Sequence, residues 1–424
     1  MMQLGPATEA SARAAPVALS VAAQGPDFNQ LRIAPDGGTL SAVVPGKDGG
    51  KGLAFYTLPD LRPLGRLDVG RYSQIRDHVW VSNDRVLIEV KEVVVYGGAP
   101  VNTGQLYAVN KDGSAAGIVY GYAAGEAVTG TRIRGAKTSR AWGSIVHALP
   151  EDPRHALILE EPFWDDPRRR DGERISLMKL DVLTGEKVVI PAPPRCRHVI
   201  IGPDGVPKVA MVDADEGYSW LVRGEDRAWH PAPSGAEPLS DIAVPMGADE
   251  HAFYVIDSVD EQPEALIRVD LTTGAKTVVS SRRDQVPYFV YRRPGGAPAA
   301  VGYEWPYPQQ EVLPDAGAYG EALEALSVAF PAKLVQVVSS SADARFHVVW
   351  VASDREPGSW YLFDKAAGQV VKLIDAYKDV AATQVRFGPR EAFTVSPPGS
   401  PDLVLTGYLT FPAGAEERRA APTV

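Results

Sequence analysis

A strand-and-turn motif that returns at a nearly constant spacing constrains the fold of this chain more than any other feature. In each copy an apolar run ends in Asp, three residues follow, and a Gly precedes the next apolar run. Three copies are regular: Leu177–Gly185, Leu266–Gly274 and Tyr361–Gly368. Their Asp residues stand at 181, 270 and 364 and are therefore 89 and 94 residues apart. Each gap is about two units of roughly 45 residues, a period typical of β-propeller blades.

Weaker copies of the motif fill most of the remaining intervals. Two of them, Phe55–Asp60 and Leu106–Gly113, lie upstream, and a degenerate copy, Ser219–Gly224, lies midway in the first long gap. A disrupted copy falls near residues 290–310. Together these copies predict seven blades.

The rest of the sequence consists mainly of short β-rich runs that are separated by turn residues. Six runs are clear strands: Leu40–Val44, Arg85–Val90, Ala156–Leu159, Lys208–Val212, Ala252–Ile256 and Phe346–Val351. Asp-Gly pairs occur at residues 36–37, 112–113 and 204–205. Such pairs suit tight hairpins because glycine tolerates positive φ.

We therefore predict an all-β fold, a seven-bladed β-propeller. A closed ring of four-stranded blades buries both faces of each blade and leaves few long edges exposed. A pair of β-sandwiches is the alternative, but it would not produce the repeat. One segment, Ala318–Phe330, has helical periodicity, with Leu323, Leu326 and Phe330 on one face.

Composition excludes several classes of protein. Lys and Arg number 43 against 53 Asp and Glu, and the net charge of −10 repels nucleic acid and anionic lipid. The single cysteine, Cys196, allows no internal disulfide and no Cys-based zinc site. The sequence contains no apolar run of membrane-spanning length and no intact signal peptide. We expect a soluble protein, and the sequence does not distinguish cytoplasm from periplasm.

Several segments resemble bacterial serine peptidases of the prolyl oligopeptidase family, which include dipeptidyl aminopeptidases and acylaminoacyl peptidases. Ser340–Asp364, with its stretch Ser353–Gly358, is similar to the last propeller blade of these proteins. Phe28–Gly37 and Trp80–Ile88 are similar to their first and second blades. Arg390–Gly414 resembles the entry into their α/β-hydrolase domain. The resemblance extends from about residue 25 to the end of the sequence.

The resemblance implies a mechanism whose residues this sequence does not contain. In the family, a hydrolase domain below the propeller supplies a Ser nucleophile, a His base and an orienting Asp. The Ser stands on a Gly-x-Ser-x-Gly turn. The nearest string here, Gly217–Leu221, lacks the second Gly. The family's catalytic residues would lie beyond Val424, so we assign none and expect this chain alone to be inactive.

The resemblance also predicts how the chain is divided. Residues 1–24 are expected to be a disordered or extended segment, residues 25–380 the propeller, and residues 381–424 a linker and the first strands of a truncated hydrolase domain. Val404–Phe411 has the pattern of a strand. Without the rest of its sheet we expect this strand to be unpaired, and therefore able to pair with a second copy of the chain.

Four residues are candidates for contact with a substrate. Glu160 and Glu161 are similar to the double Glu that grips the free amino terminus of substrates in dipeptidyl peptidases. Adjacent strand residues point to opposite faces, however, so such a pair works only from a helix or a bulge. Arg168 begins a run of three arginines, which is either a solvated loop or a site for a substrate carboxylate. Trp305 belongs to the aromatic loop Tyr303–Tyr307, which either packs against the predicted helix or lines the entrance for peptides.

No metal or cofactor is predicted, because the seven histidines are not spaced to share a strand face or a helical turn. Two functions remain open. The first is a propeller that filters and positions peptide substrates for a serine peptidase of the prolyl oligopeptidase family, whose hydrolase domain would bind and cleave them. The alternative is a free-standing β-propeller that serves as a binding scaffold without catalysis.

Overall fold

The structure is a computed structural model. It describes residues 19–47, 49–93, 100–124, 138–164, 175–233, 239–240, 243–258, 263–292, 296–382, 387–400 and 403–411. Most of the predicted N-terminal segment, residues 1–18, lies outside these ranges.

Seven antiparallel sheets follow one another along the described chain, and we number them as blades 1 to 7. Blades 1 and 2 comprise β1 (Asn29–Ile33), β2 (Thr39–Pro45), β3 (Lys51–Thr57), β4 (Pro63–Asp68), β5 (Ser73–Trp80), β6 (Arg85–Glu92), β7 (Val101–Asn110) and β8 (Gly117–Tyr120). Blades 3 and 4 comprise β9 (Ala141–His147), β10 (His155–Pro162), β11 (Ser176–Asp181), β12 (Lys187–Ile190), β13 (Cys196–Ile201), β14 (Pro207–Asp213), β15 (Tyr218–Arg223) and β16 (Trp229–Pro231). Blade 5 comprises β17 (Val244–Ala248), β18 (Ala252–Asp257), β19 (Ala265–Asp270) and β20 (Lys276–Ser280). Blades 6 and 7 comprise β21 (Phe289–Arg292), β22 (Pro298–Tyr303), β23 (Gln309–Val312), β24 (Leu334–Ser340), β25 (Phe346–Ala352), β26 (Ser359–Asp364) and β27 (Gln369–Asp375). The predicted all-β fold with seven blades is confirmed.

Blade 6 has three strands instead of four, and a helix follows its third strand. This helix, α2 (Gly317–Ala329), packs between blades 6 and 7. Leu323 and Leu326 are fully buried there, as the periodicity predicted. Phe330, just after the helix, contacts the ring of Tyr361 with a centroid distance of 4.9 Å. The disrupted repeat near residues 290–310 therefore marks a blade whose fourth strand is replaced by a helix.

Each pair of neighbouring blades shares one apolar core. Seven clusters of buried side chains lie between consecutive blades around the ring, including one between blades 7 and 1. Aromatic pairs occupy several of them, such as Phe55 with Trp80 at 5.7 Å and Trp220 with Phe253 at 5.4 Å between ring centroids. The core is thus a ring of seven interfaces, as expected for a chain of this length without disulfides.

The six strands recognised in the sequence are the second strands of blades 1 to 5 and of blade 7. A second strand has a partner on each side and a neighbouring blade on each face, so it is the most buried position of a blade. All six residues of β18, for example, are buried. A continuous apolar run is the sequence signal of such burial.

The repeated Asp-x3-Gly motif forms the turn between the third and fourth strands of a blade. In blade 3, Oδ1 of Asp181 accepts hydrogen bonds from the backbone N–H groups of Leu183 (2.8 Å) and Thr184 (3.1 Å). Gly185 closes the turn with φ of +72°. The motif recurs because each blade needs the same turn, in which Asp caps the free N–H groups and Gly adopts positive φ.

Blades 1 and 7 close the ring without exchanging a strand. Blade 1 is built entirely from the first strands of the sequence and blade 7 entirely from the last four strands of the ring. The backbone N–H of Ile33 donates to Oγ of Ser339 (3.1 Å), and that of Ala342 donates to the carbonyl oxygen of Pro35 (2.8 Å). Apolar contacts complete the seam.

The two faces of the ring differ in their loops. The tight turns between first and second strands and between third and fourth strands form one face, which we call the turn face. The loops between second and third strands, and the connections between blades, form the other face. Short helices α1 (Leu19–Ala22) and α3 (Lys378–Ala382) lie at this second face, where the chain enters and leaves the ring.

A C-terminal hairpin lies on this second face, which we therefore call the hairpin face. It consists of β28 (Arg390–Val395) and β29 (Leu405–Thr410), paired antiparallel along their whole lengths. The expectation that the strand in Val404–Phe411 is unpaired is wrong. The strand finds a partner 10 residues upstream in the sequence, because β28 carries a matching alternating pattern that the sequence reading did not use.

Candidate functional site

The first strands of the blades surround a central channel. A cavity of about 630 Å³ lies in this channel among the first strands of blades 3 to 7. The lining includes His147, His198, Arg292 and Gln336. Burial lowers the pKa of His147 and of His198, and the charge of Arg292 lowers the pKa of His198 further. Both imidazoles are therefore neutral at pH 7, and the channel presents polar but mostly uncharged side chains on this side.

Charged pairs join the first strands of blades 1 and 2 to each other and to the second strand of blade 2. Arg32 contacts Asp77 at 2.6 Å, and Arg76 contacts Glu89 at 2.8 Å. The other carboxylate oxygen of Glu89 accepts a hydrogen bond from the backbone N–H of Ile145 in blade 3. Burial raises the pKa of Glu89, although Arg76 and this N–H oppose the shift. Glu89 thus joins blades 2 and 3 beside the channel.

A second cavity, about 330 Å³, lies between the hairpin and blades 6 and 7. We call it the hairpin pocket. Five aromatic residues contribute to its wall: Tyr288, Phe289, Tyr291, Tyr303 and Tyr307. Glu304, Asp354 and Arg390 supply the charged groups. Phe289 and Tyr291 also line the channel cavity, so these two rings separate the channel from the pocket.

Tyr408 holds the hairpin against the propeller. Its ring packs on Trp305 with centroids 5.3 Å apart, and its hydroxyl donates to the carbonyl oxygen of Glu304 (3.2 Å). The guanidinium of Arg390 lies 4.2 Å from the centroid of the same ring. The backbone N–H of Arg390 donates to Oδ2 of Asp354 (2.8 Å). The hairpin is therefore attached to the second-to-third strand loops of both blades 6 and 7.

Two Ser–His pairs within the propeller have the contact that a nucleophile and its base require. Oγ of Ser41 lies 2.8 Å from Nε2 of His78, and Oγ of Ser340 lies 2.8 Å from Nδ1 of His347. Both imidazoles are fully buried, and the second ring nitrogen of each has no hydrogen-bond partner among the described residues. A triad needs an acid at that nitrogen and access for the substrate. We interpret both pairs as core contacts.

The remaining nucleophile and metal candidates have structural roles in the described chain. Cys196 is buried, and burial raises the pKa of its thiol to about 12, so thiolate is scarce at neutral pH. Within the described ranges, no three His, Cys, Asp or Glu side chains gather into a group that could hold a metal ion. None of the described helices has the length and apolar content needed to cross a membrane.

Glu160 and Glu161 lie on strand β10 of blade 3, near its end at the hairpin face. One carboxylate oxygen of Glu160 accepts hydrogen bonds from the hydroxyl of Tyr120 (2.7 Å) and from the ammonium of Lys187. Glu161 is exposed and lies opposite Trp142 on the neighbouring strand. The two carboxylates therefore point to opposite faces of the blade, and Glu160 already has partners within the protein.

The other two candidates fall in different places. Arg168 lies outside the described residues. Trp305 lies in the loop between the second and third strands of blade 6 and packs against Tyr408 of the hairpin, a contact that the sequence reading did not consider. Blades 3 and 6 are not neighbours, so the structure does not bring Trp305 together with the glutamates.

Sequence reasoning missed the residues that build the hairpin pocket. In the sequence, Arg390 and Tyr408 belong to the C-terminal segment that resembles the entry into a hydrolase domain, and Phe289 stands next to the disrupted repeat. The alternation of residues 390–395 was a signal for a strand that could pair with residues 405–410. The sequence held no signal for which propeller loops the hairpin contacts.

No family model and no curated protein matches this sequence. Solved structures do resemble it. A prolyl endopeptidase superposes with a TM-score of 0.54 at 11% identity, over 93% of this chain and 57% of that protein. Prolyl oligopeptidase B from Galerina marginata gives 0.52 at 10% identity, over 91% and 55%. A puromycin hydrolase gives 0.51 at 14% identity, over 92% and 59%.

These comparisons confirm the resemblance drawn from the sequence at the level of the fold. Nearly the whole of this chain matches, and its architecture is that of the propeller domain of prolyl oligopeptidase-like proteins. This chain spans between 55% and 59% of the length of these three proteins.

Proposed function

We propose that this chain is the substrate-filtering and substrate-positioning propeller of a serine peptidase of the prolyl oligopeptidase family. In such an enzyme the ring covers the catalytic site, and peptides must pass it or pass between it and the hydrolase domain. A ring closed without strand exchange suits this role, because its seam opens by separating side chains and a few hydrogen bonds.

One observation carries the proposal: the two faces of the hairpin differ. Residues opposite each other in an antiparallel pair share a face. The face with Tyr408 and Arg390 lies on the propeller. The other face presents Phe393, Val395, Leu405 and Leu409, which are 41–50% exposed. An apolar face of this kind marks a surface that another element covers.

We infer that the covering element is the remainder of a hydrolase sheet. In that arrangement the hairpin forms part of the hydrolase domain and connects it to the propeller. In the isolated 424-residue chain, the same apolar face and the outer strand edges would favour pairing with a second copy. Self-association of the isolated chain that disappears when Leu405 and Leu409 are both changed to Ser would support this inference.

The reading frame downstream of codon 424 tests the proposal most cheaply. We expect a frame that continues into an oxyanion loop and a Gly-x-Ser-x-Gly turn, and a native protein whose mass includes that extension. A stop codon after Val424, with a native protein of 45.5 kDa, would favour the free-standing binding scaffold instead.

A further inference from the structure

The hairpin pocket combines an aromatic wall with charged groups that come from two separate parts of the chain. Arg390 belongs to the hairpin, whereas the aromatic residues and Glu304 belong to the propeller. The volume of about 330 Å³ lies at the lower end of the range for small-molecule sites, which is roughly 300–1,000 Å³. The pocket is thus large enough for a small organic molecule and too small for a folded segment.

Three of the five aromatic side chains of the pocket are exposed, whereas Tyr291 and Tyr303 are buried. Tyr288 is 63% exposed, Tyr307 is 50% exposed and Phe289 is 45% exposed. Tyr288 meets Phe289 edge-on at 5.2 Å, and Phe289 stacks on Tyr291 at 6.0 Å between centroids. Exposed aromatic rings gathered at one concave site are typical of a surface that binds an apolar group.

Arg390 offers an unused donor at the same site. Its Nε is buried and has no hydrogen-bond partner among the described residues, and its guanidinium packs on the ring of Tyr408. A buried donor without a partner is costly, which makes a ligand oxygen favourable there. The planar guanidinium matches a carboxylate better than any other side chain does.

Glu304 offers the opposite charge on the propeller side of the pocket. Its backbone carbonyl receives the hydroxyl of Tyr408, while its carboxylate makes no hydrogen bond or ion pair with a described residue. The pocket therefore presents the guanidinium of Arg390 on the hairpin side, the carboxylates of Glu304 and Asp354 on the propeller side, and aromatic rings between them. Asp354 already accepts the backbone N–H of Arg390, so Glu304 is the carboxylate that remains for a ligand.

We propose that the hairpin pocket binds the zwitterion of a free α-amino acid or a dipeptide with an apolar side chain. Arg390 receives the carboxylate, Glu304 receives the ammonium group, and the side chain packs against Tyr288, Phe289 and Tyr307. A ligand held this way joins the hairpin to blade 6. By mass action it therefore stabilises the hairpin on the propeller. This inference concerns binding alone and does not depend on catalysis.

Isothermal titration of the 424-residue chain with L-phenylalanine and L-alanyl-L-phenylalanine tests the proposal. N-acetyl-L-phenylalanine amide keeps the side chain but lacks both charges, and glycine keeps both charges but lacks the side chain. We expect at least one of the two zwitterions to bind. The capped analogue and glycine should each bind about tenfold more weakly or worse. The relative affinities of the amino acid and the dipeptide assign the length that the pocket accepts.

Variants separate this site from nonspecific binding. Arg390→Gln and Glu304→Gln should each weaken binding of the preferred zwitterion by about tenfold or more. Glu304→Gln retains the backbone carbonyl that anchors Tyr408, so it remains informative if Arg390→Gln loosens the hairpin. Arg345→Gln serves as the control, because Arg345 contacts Asp364 at the turn face (2.9 Å). The proposal is overturned if neither zwitterion binds at about 10 mM. It is also overturned if the capped analogue binds as well as the better zwitterion, or if Glu304→Gln binds that zwitterion as tightly as Arg345→Gln does.

Discussion

Replacing Tyr408 by Ala should release the hairpin from the propeller while leaving the ring intact. The substitution removes the ring contact with Trp305, the contact with the Arg390 guanidinium and the hydrogen bond to the Glu304 carbonyl. An aromatic pair, a cation–π contact and a neutral hydrogen bond each contribute about 0.5–1.5 kcal/mol. Because these terms are not additive and the site is partly exposed, we expect a loss of about 2–3 kcal/mol.

Limited proteolysis measures this loss. When opening and closing are fast relative to cleavage, the cleavage rate follows the population of the open hairpin. A loss of about 2–3 kcal/mol then accelerates cleavage within residues 387–411 by about 30- to 150-fold. Leu409→Ala is the matched control, since Leu409 is the neighbouring residue on the outward face. Equal acceleration in the two variants would refute the role given to Tyr408, and so would no acceleration in either.

Three further predictions concern the ring. Leu31→Ala should open the seam between blades 1 and 7, because truncation of this fully buried side chain costs about 2–5 kcal/mol of stability. Amide hydrogen exchange should then become faster in β1 and β24 but not in blade 4. Gly358→Ala should lower the melting temperature more than Gly368→Ala does. Both glycines have positive φ, but only at Gly358 would an added Cβ collide with a side chain, the ring of Trp350, at 1.9 Å. Equal losses of melting temperature in the two variants would contradict this prediction. Burial holds the pKa of His78 well below its usual value, so below pH about 6.5 the unfolded chain takes up a proton that the folded chain refuses, and stability falls by about 1.4 kcal/mol per pH unit for this residue. In urea titrations from pH 7.5 to 5.5, His78→Gln should reduce the slope of unfolding free energy against pH by up to about 1.4 kcal/mol per pH unit, which corresponds to one proton. An unchanged slope would disprove the depressed pKa of His78.

The sequence predicted the ring well because each blade needs the same local chemistry. The turn between third and fourth strands requires Asp and Gly at fixed positions, so the repeat is visible without any structure. Second strands are apolar throughout because both faces are buried. Blade 6 gave only a disrupted copy of the repeat, and its second strand, Pro298–Tyr303, is not among the strands recognised in the sequence. This strand is fully buried but is built largely from small residues, which give a weak strand signal.

The candidate site was much harder to predict. The contact between Trp305 and Tyr408 joins residues 103 positions apart in sequence, and neither lies in a repeated motif. Local pattern shows that β29 is a strand, but it does not show which surface lies beneath it. Glu160 and Glu161 were chosen by resemblance to a motif, and the strand geometry places them on opposite faces. Prediction of the site required the arrangement of loops on the hairpin face, which depends on packing between blades.

Labelling with a fluorophosphonate probe tests the central proposal most directly. The probe reacts with a Ser that is activated by a neighbouring base and lies within reach of solvent. We predict that the 424-residue chain is not labelled, and that the product of the reading frame extended beyond Val424 is labelled at one serine and cleaves short peptides. An extended product that folds but is neither labelled nor active would contradict the proposal, as would stoichiometric labelling of the 424-residue chain itself.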